Sequence, residues 1–480
     1  MQDSRPYDSA MLLIADYLVT PPTFNTVAYE TARLCLADAL SCALLALQFS
    51  ECRKLLGPII PGTQVPYGTR VPGTNFILDP IHAAFNIGIL IRWLDYNDTW
   101  LAMEWGHPSD NLGGLLAIAD YLSRKNCAEG KPPILVKELL TLLIQAYEIQ
   151  GILSLENSFN RVGLDHVILV KVATAAVVAR LLGGNREHVL IALSNAWIDT
   201  GPLRTYRHTP NTGSRKSWAA GDATRRGVQL AWMALQGEMG YPTALSAPQW
   251  GFYAIFSEGK PFVLQKPFGS YVMENILFKV SFPAEFHAQT AVECAITMHP
   301  HIHDRIEQIA EIQIQTQEAA VRIIDKQGPL YNAADRDHCL QYMVAMALLK
   351  GTLEAKDYEE ENARDPRIDK LRSKMKVFEN PQFTQDYLDP QKRAISNAMY
   401  IRFTDGSHLG PVIIEYPIGH QRRRKEALPL LLNKFSRNFS SGYPASKVDE
   451  LIALFLDPQQ LLSMAVSDFV NLFPTVGNFA

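Results

Sequence analysis

The stretch "DHVILVKVATAAVVARLLGG", residues 165–184, is apolar on all sides from Val167 to Val178, save for Lys171 and Thr174, and stops at two glycines. A helix that is apolar all round is buried on most sides, and glycine just past the last turn is the usual C-terminal stop. The run is too short and too often interrupted to cross a membrane, which takes about 20 predominantly apolar residues. It predicts a central helix with other helices packed around it.

Its surroundings agree. "AYETARLCLADALSCALLAL", residues 28–47, spaces apolar residues at helical intervals. "DPIHAAFNIGILIRWLD", residues 79–95, opens with Asp79 as N-cap and Pro80 at the first helical position. Near residue 276 the pattern changes. "AEIQIQ", residues 310–315, alternates strictly, as does "MYIRFTDGSHLGPVIIEYP", residues 399–417, around the turn pair Asp405-Gly406; both read as strands. Helical patterns lie between them, with a charged stretch, residues 354–377, that reads as an exposed helix with loops. After Pro417 the helical pattern returns. The expected fold is mainly α: a discontinuous helical domain, residues 1–275 and 418–480, with a smaller α+β lid domain, residues 276–417, inserted into it.

The 480 residues are 47% hydrophobic and 20% charged, with a formal net charge of −4 and no long basic run. That composition suits a soluble globular protein and argues against nucleic-acid or membrane-surface partners. The opening "MQDSRPYDSAMLLIADYLVT" has neither an apolar signal core nor an Arg-rich transit pattern. Six scattered cysteines without a C-x-x-C pair suit a reducing compartment, so a cytoplasmic enzyme is expected. Their scatter also gives no ligand set for an iron–sulfur cluster, and "MHPHIHD", residues 298–304, lacks metal-site spacing; neither metal nor cofactor is expected.

"LDYNDTWLAMEWGHPSDNLGG", residues 94–114, sets Asp95, Asp98, Glu104, His107 and Asp110 among large aromatics. Buried charges are costly unless paired or used. With the helix from Asp79 continued to residue 99, Asp95, Asp98 and Thr99 share one face, and the helix dipole raises the proton affinity of Asp95. His107 precedes a new helix start, a ready site for a carboxylate; capping of chain turns explains the two aspartates equally well. His166 opens the central helix, where a neutral imidazole is favoured as a base or as a plain hydrogen-bonding group. "LRTYRHTPNTGSRKSWAAGDA", residues 203–223, gathers Arg204, Arg207, His208, Arg215 and Lys216 before any acid and reads as an anion clamp. Lys279, Glu285 and His287 fall at the domain junction, a preferred place for ligands.

In the longest of these blocks, with "KLLGPIIPGTQVPYGTRVPGT", "ENSFNRVGLDHVILVKVA", "GSYVMENILFKVSFPAEFH", "RIIDKQGPL" and "ADRDHCLQYMVA", the chain resembles the family of iron–sulfur-independent 2-methylcitrate dehydratases and cis-aconitate decarboxylases over essentially its whole length. The resemblance implies a helical domain with an α+β lid, a cleft between them, no cofactor, a small tricarboxylate substrate and a homodimer. It places Asp95, Thr99, His107, His166 and Lys216 in the cleft. Lys279 is one position off the family's lysine, and the stretch from Thr99 to His107 is longer than in the decarboxylase branch. The implied activity is dehydration of 2-methylcitrate in the methylcitrate cycle, with citrate as side substrate; the alternatives are cis-aconitate decarboxylation and a silent tricarboxylate binder. Elimination of water needs a base, an acid and carboxylate holders. The expected base is Asp95 or His166 and the expected acid is His107. Asp98, Thr99, Arg204, Arg207, His208, Lys216, Lys279 and His287 would bind the substrate.

Overall fold

The computed structural model describes residues 6–208 and 210–477. The first five residues of the amino-terminal reading, and Thr209 of the basic loop, lie outside the described residues. The fold is mainly α with small sheets. Its helical body is built from α1 (Thr26–Ala46), α2 (Pro80–Arg92), α3 (Leu112–Ala128), α4 (Val136–Leu155), α5 (Val167–Leu181) and α6 (Arg215–Leu235). The central position of α5 follows from its sequence: every residue from Val167 to Ala179 is buried. It stops where Gly183 turns to φ +89° and the Gly184 amide donates to the Ala179 carbonyl at 2.9 Å. A Cβ on Gly184 would lie 2.6 Å from that same carbonyl, so only glycine closes the helix this way.

Small residues let α2 and α6 approach each other closely. A Cβ on Gly88 would come within 2.7 Å of the Gly221 Cα, and one on Gly221 within 2.8 Å of the Phe85 carbonyl. Asp79 caps α2 as expected, accepting from the amides of Ile81 and His82. The helix ends at Arg92, however, and not at residue 99. The chain reverses at Asp95, whose φ of +49° is incompatible with a right-handed helix. Asp95 and Thr99 therefore reach their places from a turn, not from one helix face.

The main sheet contains β1 (Ile309–Thr316), β2 (Met375–Glu379), β3 (Asn397–Phe403) and β4 (His408–Ile414), in the order β2-β1-β3-β4. The hairpin β3–β4 turns at Gly406, φ +85°, as the Asp-Gly pair predicted. β2, parallel to β1, lies in the stretch read as exposed helix and loop. It is an edge strand with one buried residue, Met375, so it carries no apolar alternation. Two helices, α7 (Gln289–Ile302) and α8 (Leu340–Lys350), pack with this sheet around a second hydrophobic core.

The first core takes buried side chains from residues 10–280 and again from 427–476. The second takes them from residues 282–403. The returning helix α9 (Arg424–Ser440) ties the first core to the turn below α2 through one buried ammonium. Lys434 is 1% exposed; its Nζ lies 2.6 Å from Asp38 Oδ1 and donates to the carbonyls of Tyr96 and Lys279 at 2.7 Å each. Burial pushes Asp38 up to about 6 against the pull of this lysine. Removing one partner of a buried ion pair strands the other charge, so Lys434→Met is expected to cost about 3–5 kcal/mol of unfolding free energy. Adding Asp38→Leu should restore most of it. Urea unfolding followed by circular dichroism decides the matter; a loss under about 1 kcal/mol for Lys434→Met would overturn this role.

Candidate active site

Where the two cores meet they enclose a narrow cavity. One wall carries Arg92, Asp95, Thr99, His107, His166, Arg204 and Arg207; the other carries Lys279, Glu285 and His338. The lining thus contains four guanidinium or ammonium groups, three imidazoles and two carboxylates. The antiparallel bridge between Thr99 and Leu277 brings the walls together, its amides donating across at 2.8 and 3.0 Å.

Asp95 is the electrostatic hub. Its Oδ1 accepts from Arg92 and, at 2.8 Å, from Lys279, whose Nζ also donates to the Asp95 carbonyl. Burial by itself would raise its pKa, but Arg92 first, then Lys279 and His107, hold the carboxyl well below the usual range. This corrects the expectation that Asp95 gains proton affinity: the helix end foreseen there does not exist, and the cations around it keep it ionised. Asp95 is no base. It is the counter-ion that keeps the cations in register.

The two histidines of the helical wall have ring centroids 6.1 Å apart. His107 Nδ1 lies 2.7 Å from the Asp98 carbonyl, which can only accept, so Nδ1 carries the proton and Nε2 is left 3.3 Å from Asp95 Oδ1. Thr99 Oγ1 stands 3.3 Å from the same Nδ1. His166 is buried with neither ring nitrogen hydrogen-bonded. Burial, with Arg207, Arg204 and Arg92 adding to it, holds His166 well below the ordinary histidine range despite Asp165. Burial and Arg92 do the same to His107 against Asp95. Both rings are therefore neutral in the empty cavity.

The basic segment contributes in part. Arg207 forms a two-pronged pair with Asp165, and Arg204 stands over Trp105 at 5.5 Å with a buried Nη1 that has no hydrogen-bond partner. Lys216 is buried at the margin of the cavity, donating to Asp337 Oδ2 at 2.6 Å, and burial lowers its pKa. Arg215 turns away and stacks on Trp218. His208 is exposed and lines no part of the cavity, so its assignment to substrate binding is corrected.

Two further assignments change. Asp98 is not among the lining residues: it accepts from Ser109 Oγ at 2.8 Å and Tyr147 Oη at 2.6 Å, and its carbonyl meets His107 Nδ1. His287 is likewise outside the lining: its Nδ1 donates to Glu285 at 2.8 Å and fixes that carboxylate in the wall. Glu104 and Asp110, the other acids of the aromatic stretch, are structural as well. Glu104 accepts from the amides of Phe159 and Asn160, and Asp110, pushed up to about 7 by burial, accepts from Asn97. Sequence reading singled out Glu285 at the domain junction without giving it a role, and missed Arg92 and the pair Asp337–His338. The last stands in the quoted block "ADRDHCLQYMVA", where a histidine beside an acid just ahead of an apolar helix was a usable signal. Among the described residues no cluster of three or more His, Cys, Asp or Glu is gathered to hold a metal ion.

Residues 13–265 match the model of the MmgE/PrpD N-terminal domain and residues 282–457 that of the MmgE/PrpD C-terminal domain. A 2-methylcitrate dehydratase of Escherichia coli K12 is 58% identical over 473 residues, covering 98% of each chain. The 2-methylcitrate dehydratase of Cupriavidus necator is 55% identical, covering 97% of each. A mitochondrial 2-methylcitrate dehydratase of Yarrowia lipolytica is 53% identical, covering 98% of this chain and 91% of its own.

Proposed function

The chain belongs to the MmgE/PrpD family, and from that premise and the chemistry of its cavity we propose that it is a hydro-lyase converting 2-methylcitrate to 2-methyl-cis-aconitate in the methylcitrate cycle of propionate breakdown. Citrate is a side substrate in this reading, because one methyl group changes binding in an apolar pocket by only ~1–3 kcal/mol. The observation that carries it is a narrow cavity whose cations suit a trianion and whose His166 makes no hydrogen bond at either ring nitrogen, Nδ1 standing 3.5 Å from Asp165 Oδ1.

His166 takes the proton from the carbon beside a carboxylate. The negative charge that develops there is held by Arg204 and Lys279, in a site sheltered from water. His107 protonates the departing hydroxyl; the C–O bond breaks, the double bond forms and water leaves. A bound trianion favours the protonated form of His107, and Asp95 stands beside its Nε2 to receive that charge. Lys216 and Arg207 hold the remaining carboxylates.

In the same reading, residues 276–417 form an α+β lid inserted in a helical domain of residues 1–275 and 418–480. Two observations support it: the separate second core, and the close crossing of the two connecting segments, where the Phe278 amide donates to the Gly419 carbonyl at 3.2 Å. A homodimer belongs to this reading, with the exposed Trp250 and Ile255 as an apolar contact face. So does a cytoplasmic setting, which suits six unpaired cysteines, five of them buried. No helix among the described residues is long and apolar enough to cross a membrane.

Purified protein, exhaustively chelated and handled in air, is expected to turn 2-methylcitrate into an ultraviolet-absorbing alkene without releasing carbon dioxide. Carbon dioxide from cis-aconitate, with no hydroxy-acid turnover, would assign the decarboxylase instead. Citrate-dependent thermal stabilisation without any turnover would assign a binder. Iron lost in step with activity would refute the cofactor-free reading.

His166→Asn and His107→Ala are expected to lower kcat by about 10²–10⁴-fold, the usual worth of a positioned base or acid. Lys216→Ala should mainly raise KM, because it removes ground-state binding of the anion. A base must be deprotonated to work, and the pKa of His166 lies below the ordinary value of about 6.5, so the acid limb of kcat/KM should fall below that pH. Near-normal kcat in both histidine variants, folded by circular dichroism, would refute these roles.

A further inference from the structure

A hydroxy-tricarboxylate offers six carboxylate oxygens that accept hydrogen bonds and a single hydroxyl hydrogen that donates one. The cavity's cations serve the acceptors. The hydroxyl hydrogen needs an acceptor that is free, buried and uncharged, since a further carboxylate would repel the trianion. Few groups in the wall qualify. Asp95 is an ionised carboxylate, its Oδ1 taken by Arg92 and Lys279. Both oxygens of Glu285 accept from His287, one from the ring and one from the amide, at 2.8 Å each. His107 Nε2 faces the carboxylate of Asp95.

His338 remains, on the wall supplied by the second core, opposite in origin to His107 and His166. Its Nδ1 lies 2.9 Å from Asp337 Oδ1, an acceptor, and 3.3 Å from Lys216 Nζ, a donor; the shorter contact, with the carboxylate, puts the proton on Nδ1 and leaves a lone pair on Nε2. That Nε2 makes no hydrogen bond among the described residues. The ring is 8% exposed and set in place from behind, because Asp337 is itself anchored by Lys216 at 2.6 Å through its other oxygen. Burial and the neighbouring Lys216 push the ring down to about 4, so it stays neutral through the physiological range.

We propose that His338, oriented by Asp337, is the residue that recognises the substrate's hydroxyl group, its Nε2 accepting the hydroxyl hydrogen. The proposal rests on the hydroxy-acid reading above and deepens it. With the hydrogen held by His338 and the oxygen approached by His107, the C–O bond to be broken has one defined direction. His166 is left free for the C–H proton. An alkene product has no hydroxyl, so this contact is lost on turnover and favours release.

The test compares citrate with propane-1,2,3-tricarboxylate, which has the same three carboxylates and no hydroxyl. Binding is followed by the fluorescence of the tryptophans, Trp105 being in the wall. Wild-type protein should prefer citrate by roughly 10- to 100-fold, the usual worth of a buried acceptor left unpaired. His338→Leu should bring the two affinities together while the affinity for the hydroxyl-free acid stays near that of wild type. His338→Gln, whose amide oxygen can accept, should keep most of the preference. Asp337→Asn should reduce it, and with His338→Gln it carries the decision if the leucine variant does not fold. Wild-type protein that binds both acids equally, or a folded His338→Leu that keeps the preference, would overturn the proposal. Failure of citrate to bind at all would instead strike the underlying reading of the substrate.

Discussion

Lys434 Nζ, shut away from water, lies between the carboxylate of Asp38 and the carbonyl oxygens of Tyr96 and Lys279. An ammonium in that position must keep all its partners or pay the full cost of a bare buried charge. It thereby fixes two stretches of chain that have no regular structure of their own: the turn after α2 and the segment crossing towards the second core. Asp95 directly precedes one of the two anchored residues, and Lys279 is the other. The Asp95–Lys279 pair, on which the cavity's charge balance rests, is held from behind by a helix some 150 residues further along the chain (α9; the Lys279 carbonyl contact spans 155 residues).

Backbone geometry supplies the rest of the scaffold. The absence of side chains at Gly88 and Gly221 lets α2 and α6 touch, which draws Arg92 at one helix end and Lys216 at the other helix start towards the same place. A larger residue at either glycine would part these helices and loosen the polar end first. The apolar surface of α5 fills the space behind them, and His166, its N-cap, lines the cavity. Helix ends converge there because they alone in the bundle offer both polar backbone and freedom from the core.

Much of this was legible in the chain. The apolar α5, the Asp79 cap and the Asp-Gly hairpin announce themselves through periodicity and turn chemistry that act locally. Arg204, Arg207, Lys216, His107 and His166 stand out because charge among aromatics is rare. What stayed hidden depends on distance. The end of α2 at Arg92 is set by the pull of Arg92 and Lys279 on Asp95, and Lys279 is 184 residues away. Nothing near Asp98 says that Tyr147 and Ser109 will claim it, nor that Glu285 rather than His287 will line the wall. β2 is silent because an edge strand with one buried residue has no pattern to show.

Most of the site's charges are neutralised by the protein itself. Arg207 is paired with Asp165, Lys216 with Asp337 and Lys279 with Asp95, so none of those cations is stranded by its burial. Full neutralisation would leave a trianion nothing to gain by entering. The exceptions lack hydrogen bonds among the described residues: Arg204 Nη1, 3.9 Å from Asp165 Oδ2; both ring nitrogens of His166, Nδ1 being 3.5 Å from Asp165 Oδ1; and His338 Nε2. A carboxylate, an acidic C–H and a hydroxyl are the groups that would meet those needs. In this reading the compensated pairs set the geometry, and the atoms of the lining that lack hydrogen bonds are the ones a substrate would meet.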